Sequence, residues 1–183
     1  MRISRVCIEN FRNFAKMEVA LAEDVVIVGE NKVGKSNFVY ALRLVLDPAL
    51  PDSARQLRAE DFWDGIERPI PLDTRIRVSV DLAGFDDADE QLASLADFLV
   101  QAEPMVARLT YEFRHAPMSV ADAPSFEFVV FGGDREDARV TWEVRRRLAL
   151  EVVHALRDAE GDLASWRRSP LRPLLAKVAD AVT

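Results

Sequence analysis

The chain has 183 residues, 49% of them apolar and 30% charged, and a formal net charge of −7. That length and apolar share support one substantial core, hence one domain or one lobe of a larger one. The acidic balance excludes a chain-wide basic surface for nucleic acid and leaves room only for a local patch.

The single cysteine, Cys7, excludes an internal disulfide and reads as a small buried residue of a cytoplasmic protein. No stretch has the length and apolarity of a membrane span or a signal-peptide core, so no membrane partner is expected.

Two alternating segments open the chain, Ile3 to Glu9 with Val6 and Ile8 on one face, then Met17, Val19 and Leu21. Joined through Asn10-Phe11-Arg12-Asn13-Phe14, they read as a β-hairpin. The run Val25-Val26-Ile27-Val28 is apolar at every position, the pattern of a buried strand. It leads directly into Gly29-Glu30-Asn31-Lys32-Val33-Gly34-Lys35-Ser36, a complete G-x-x-x-x-G-K-[ST] Walker A pattern. Phe38, Val39, Leu42, Val45 and Leu46 then recur at helical spacing, which predicts a helix from about Lys35 to Leu46, stopped by Asp47-Pro48.

The residue types at the loop follow from the chemistry of a nucleoside triphosphate. Backbone N–H groups from Glu30 to Lys35 can wrap a phosphate only if the chain comes close, which Gly29 and Gly34 permit. The phosphates would then sit at a helix N-terminus, where unpaired N–H groups and the helix dipole favour negative charge. Lys35 can reach the β and γ oxygens, and the Ser36 hydroxyl is the expected protein ligand of a magnesium ion. ATP and Mg2+ are the cofactors expected.

Beyond the helix, residues 48–73 are punctuated by proline and read as a surface excursion with a short helix near Ala54 to Leu57. Four further strands are expected from alternation: Ile76 to Leu82, Ala107 to Phe113, Phe126 to Val130, and Val140-Trp142-Val144. Gly132-Gly133-Asp134 is turn chemistry between the last two. Asp86 to Ala102 carries Leu92, Leu95, Ala96 and Leu99 at helical spacing, and its leading acids fit a helix start better than a metal site. From Arg145 the pattern turns helical to the end, with Ser169 as a cap before Pro170.

Arg145-Arg146-Arg147 and Arg167-Arg168 with Arg172 are the dense basic groups and read first as charged helix faces. His115 and His154 lack partners at metal-ligand spacing. Trp63, Trp142 and Trp166 read as core or interface anchors.

The order of elements, with a hairpin before the loop and antiparallel strands after its helix, suggests the ATP-binding-cassette type. Ile3-x-x-Val6-x-Ile8-x-Asn10-Phe11-Arg12-Asn13-Phe14, then Val28-Gly29-Glu30-Asn31-x-x-Gly34-Lys35-Ser36-Asn37 and Ala41-Leu42, resembles the start of the RecF, chromosome-maintenance and OLD (overcoming lysogenisation defect) ATPases. Leu57-Arg58-Ala59-Glu60-Asp61-Phe62-Trp63, Ala155 to Glu160 and Arg168-Ser169-Pro170-Leu171 look more particularly like OLD-type ATP-dependent endonucleases.

The resemblance implies an α/β phosphate-loop fold of cassette type: a mixed sheet, an antiparallel β-subdomain and C-terminal helices. The expected organisation is an N-terminal ATPase lobe over 1–144 and a helical segment over 145–183 that begins an arm or dimerisation element. It also implies a composite ATPase working as a homodimer, with Arg12, Asn13 and the loop Gly29, Glu30, Asn31, Lys32, Val33, Gly34, Lys35, Ser36 and Asn37 around the nucleotide. A Toprim nuclease acting on DNA, in DNA processing or defence against phage, would follow. Gln56 and Asp61 are candidates for a γ-phosphate-sensing loop.

No Leu-Ser-Gly-Gly signature, no apolar run ending in Asp-Glu and no Toprim carboxylate set occurs in these residues. The chain is therefore expected to bind ATP with little or no turnover by itself. A RecF-like or chromosome-maintenance ATPase that clamps DNA without cutting it is the alternative, and a self-contained nucleotide kinase the third.

Overall fold

The computed structural model describes residues 1–22, 25–30, 33–86, 89–117 and 124–148. Alternation in the first twenty residues produces the hairpin β1 (Arg2–Phe11) and β2 (Phe14–Ala20). After the loop come α1 (Lys35–Leu46), α2 (Asp52–Arg55), a 3-10 turn at Ala59–Asp61, and β3 (Arg75–Ala83). Then follow α3 (Asp89–Leu95), β4 (Leu99–Gln101), β5 (Val106–His115), β6 (Phe126–Gly132) and α4 (Trp142–Leu148). Every strand pairing among the described residues is antiparallel, in the order β2-β1-β3-β5, with β4 and β6 both on β5.

Because side chains alternate along a strand, the register sorts the sheet into two unlike faces. On one face Val6, Val80 and Leu109 lie side by side, then Ile8, Val78 and Tyr111, then Ile76 and Phe113. All are buried, and α1 lies across β3 and β5 with Phe38, Ala41, Leu44 and Val45 inward.

The other face is a lattice of charge pairs. Glu112, fully buried under arginine stems, accepts from Arg77 at 2.7 and 3.1 Å, from Arg114 at 3.0 Å and from Arg75 at 3.3 Å. Asp81 holds Arg108 through two bonds of 2.7 and 3.0 Å. Cys7, expected to be buried, sits on this polar face and is partly exposed, because its neighbours Val6 and Ile8 take the core side.

The C-terminus of α1 is closed by an internal cation. Arg55 is 2% exposed and donates to the carbonyls of Leu44 (3.1 Å), Asp47 and Leu50, satisfying acceptors that a helix end leaves open. Positive charge there also complements the helix dipole. Tyr111 Oη, in turn, donates to the Arg55 carbonyl at 2.5 Å, tying this cap to the sheet. Burial pushes the Tyr111 phenol far above its usual range.

Three expected elements change. Val25 to Val28 do not form a buried strand: they lie outside the sheet, with Val26 85% and Val28 83% exposed. A strand is buried by its neighbours, and β2 already forms this edge of the sheet, leaving the run unpaired among the described residues. The strand expected at Val140 to Val144 is replaced by a short contact and a helix. Ala138 and Val140 bond to Gly132 and Val130 at 2.8 and 3.0 Å, and α4 starts at Trp142. The helix expected over Asp86 to Ala102 is cut to Asp89–Leu95, since Leu99 joins β4 beside Ala107.

The expected domain limit at 144/145 falls inside α4, and the first compact unit runs from Met1 to Leu150. Ser169, Trp166, His154 and the helices expected after residue 148 lie outside the described residues.

Candidate nucleotide-binding site

The site is built on the N-terminus of α1, which begins at Lys35 as its sequence demands. Gly34 caps it in the left-handed region at φ +106°, where L side chains are strained. A Cβ at Gly34 would also lie 2.2 Å from Asn13 Nδ2, so a side chain there would displace the Asn13 amide. The first turn of α1 contains no acid, leaving the positive end of its dipole open to an anion. Lys35 Nζ folds back over the loop and donates to the carbonyls of Gly29 at 2.5 Å and Glu30 at 2.6 Å. Ser36 is exposed one residue into the helix. Asn31 and Lys32 lie outside the described residues.

The hairpin tip closes on this helix start. Asn37 Oδ1 accepts from Arg12 Nη1 at 2.9 Å, and Asn37 Nδ2 donates to Asn13 Oδ1 at 2.7 Å. Asn13 Nδ2 passes on to the carbonyl of Val33 at 3.2 Å. The Arg12 guanidinium lies over the rings of Phe11 and Tyr40, 5.0 and 4.8 Å from their centroids, and Nε donates to Asp61 Oδ1 at 2.9 Å. Arg12, Asn13, Val33, Gly34 and Asn37 are thus brought together. The link to Asp61, 49 residues from Arg12, has no signature in any local period.

Asp61 is not held as a free sensor: its second oxygen accepts the Arg58 N–H at 2.9 Å. Gln56 points elsewhere, donating to the Phe126 carbonyl at 3.0 Å.

Upstream of the loop, Val25 to Val28 and the β2 side chains Phe14, Met17 and Val19 line an apolar cavity of about 400 Å3 that reaches Lys35. For a divalent ion the donor set is Ser36 alone, and no group of three or more His, Cys, Asp or Glu residues occurs among the described residues. One hydroxyl suits a magnesium ion whose other ligands are phosphate oxygens and water, so the residues present fit the group.

The remaining candidates resolve as structural. His115 is buried against Phe126, 4.6 Å between ring centroids, with Nε2 3.2 Å from the Ile70 carbonyl. Of the arginine triplet, Arg145 is buried and donates to the Val140 carbonyl, Arg146 lies over Trp142, and Arg147 donates to Ser94 Oγ. Burial first, then the nearby Arg55 charge, lowers the Arg145 pKa. Trp142 is half exposed, and Asp134 stands in the Gly132-Gly133 turn, 3.8 Å from Arg108. Among the described residues no helix is long and apolar enough to cross a membrane.

The described residues thus place a glycine-capped helix start bearing Lys-Ser beside an antiparallel sheet and its hairpin. The profile of the AAA ATPase domain family AAA_15 matches residues 1–128, and the chain belongs to that family. Over 47 residues it is 51% identical to endonuclease GajA of Bacillus cereus (strain VD045), a match covering 26% of this chain and 8% of that protein.

Among solved structures, an SMC ATPase studied for ATP-driven dimerization and DNA-stimulated activation superposes with a TM-score of 0.51 at 17% identity, covering 100% of both chains. An SMC head bound to the C-winged helix domain of ScpA gives 0.46 at 18% identity, over 81% of this chain and 40% of that one.

Proposed function

We propose that the loop from Gly29 to Asn37 binds the phosphates of ATP with Mg2+, and that the chain is the ATP-binding N-terminal part of an OLD-like ATP-dependent DNA endonuclease. The observation that carries the first half is the open N-terminus of α1: a left-handed Gly34, no acid in the first turn, and an ammonium already at the loop. Lys35 leaves the Gly29 and Glu30 carbonyls for β and γ oxygens, which as charged acceptors hold it more strongly. Ser36 and Asn37 follow on the same turn, so the Ser36 hydroxyl would serve as the magnesium ligand while Asn37 keeps the hairpin tip in place. Magnesium, when bound, neutralises charge on the phosphoryl oxygens.

The likeness to GajA supports the second half, since 47 residues of this chain match a relative named as an endonuclease at 51% identity. Cleavage of DNA, in processing or in defence against foreign DNA, then belongs to the longer assembly, working as a homodimer across the nucleotide. The SMC-like fold favours a second reading, an ATPase that clamps DNA without cutting it.

The deciding experiment is an assay of the native full-length protein on plasmid DNA with and without ATP. Cleavage that depends on ATP and on Lys35 supports the nuclease. ATP-dependent retention of intact DNA moves the reading to the clamp.

A further inference from the structure

We infer that Asp61 is a positioning residue of the nucleotide site: it aims the Arg12 guanidinium at the phosphates held by the loop. The inference rests on the nucleotide reading of that loop.

Arg12 has φ +49°, a conformation uncommon for a residue with a side chain and retained only where surrounding contacts over-determine it. Here they do. The Arg12 backbone N–H donates to the Asp61 carbonyl at 2.8 Å, and Nε donates to Asp61 Oδ1 at 2.9 Å, so one residue grips both the main chain and the side chain. The grip is itself braced. Asp61 Oδ2 accepts the Arg58 N–H, the Trp63 N–H donates to the Asn10 carbonyl at 2.9 Å, and Phe62 bridges Phe11. The segment around Asp61 therefore holds the hairpin tip from Asn10 through Arg12.

Arg12 is not consumed by these contacts. Two of the five N–H groups of a guanidinium are engaged, at Asp61 and Asn37, and the side chain is 35% exposed. Among the described residues no further acceptor takes the rest. Asn37 places those free donors at the first turn of α1, where the anion belongs. The planar group is also fixed against Phe11 and Tyr40, so only its rotation in that plane remains to be set, and Asp61 sets it. A lysine could not serve: it lacks the fork that meets Asp61 and Asn37 together.

The test is calorimetric titration of Mg-ATP into the wild type, Arg12→Ala, Arg12→Lys, Asp61→Asn, Asp61→Ala and the Arg12→Ala/Asp61→Ala double variant, with melting temperatures measured alongside. Each single alanine variant should weaken binding by about ten- to a hundredfold. The double variant should bind no more weakly than Arg12→Ala, because Asp61 acts through Arg12. Asp61→Asn, which keeps an acceptor and loses the charge, should fall between, and Arg12→Lys should not restore wild-type affinity.

Wild-type affinity in Asp61→Ala, or losses that add in the double variant, would overturn the positioning role while leaving the loop reading intact. A loss of affinity in Asp61→Asn matched by a collapse of its melting temperature would also overturn it, in favour of a purely structural role. A wild-type protein that binds no ATP would overturn the loop reading and this inference together.

Discussion

The two flanks of the loop from Gly29 to Ser36 are held in different ways. Downstream, α1 buries Phe38, Ala41, Leu44 and Val45 against the sheet, its first turn is tied to the hairpin through Asn37, and its last carbonyls meet Arg55. Upstream, Val25 to Val28 run beside an apolar cavity with their side chains 44–85% exposed. Fully burying a valine or isoleucine stabilises by about 1.5–3 kcal/mol, and the upstream run has gained only part of that. The described side-chain ties around the loop therefore run to α1 and the hairpin tip rather than to the apolar run. The upstream side carries an apolar surface that is unpaired among the described residues.

The contrast is broken most severely at Arg55. Arg55→Met strips three carbonyls at the end of α1 of their donor, and urea unfolding should show a loss of about 3–5 kcal/mol. An unchanged unfolding midpoint would mean that the cap is dispensable.

Next is Gly34→Ala, which forces a side chain into the left-handed region and onto Asn13 Nδ2. It should cost about 1–3 kcal/mol and weaken ATP binding in parallel. A variant with full stability and full affinity would show that Asn13 yields freely.

A smaller effect is expected on the polar face of the sheet. The hydrogen bonds from Arg114 hold the Glu136 carboxyl below its usual value of 4.5. A carboxyl lowered on folding contributes stability above its unfolded pKa and loses it as pH falls through the folded pKa. Melting temperature should thus fall more steeply for the wild type than for Glu136→Gln below pH 4.5, by an amount limited by the exposure of the pair. Parallel curves would remove this contribution.

The smallest effect belongs to the bare flank. Val26→Lys and Val28→Lys should each change the stability of this chain by less than about 0.5 kcal/mol. A loss several times larger would place the run inside a sheet and erase the contrast between the flanks.

Where the chain is punctuated locally, sequence and structure agree. The loop starts α1 at Lys35 and Pro48 ends it, while strict alternation marks β1, β3, β5 and β6. Differences arise where a neighbour decides. Four apolar residues in a row at Val25 read as a buried strand, but burial is a property of flanking strands that the run itself does not contain. Val140, Trp142 and Val144 are too few to separate a period of two from the start of a helix, and α4 prevails.

The Gly34-capped start of α1 was legible because its signal is contiguous. The clasp of Asp61 on Arg12 was not, because it joins residues 49 apart through a single side-chain pair.

The most direct test of the account is the equilibrium binding of Mg-ATP to the 183-residue chain and to its Lys35→Ala variant. Saturable one-site binding, lost by at least about a hundredfold in Lys35→Ala with an unchanged melting temperature, is the result expected of a phosphate loop moulded on α1. Absence of binding to the wild type, or binding that survives the loss of Lys35, would contradict it.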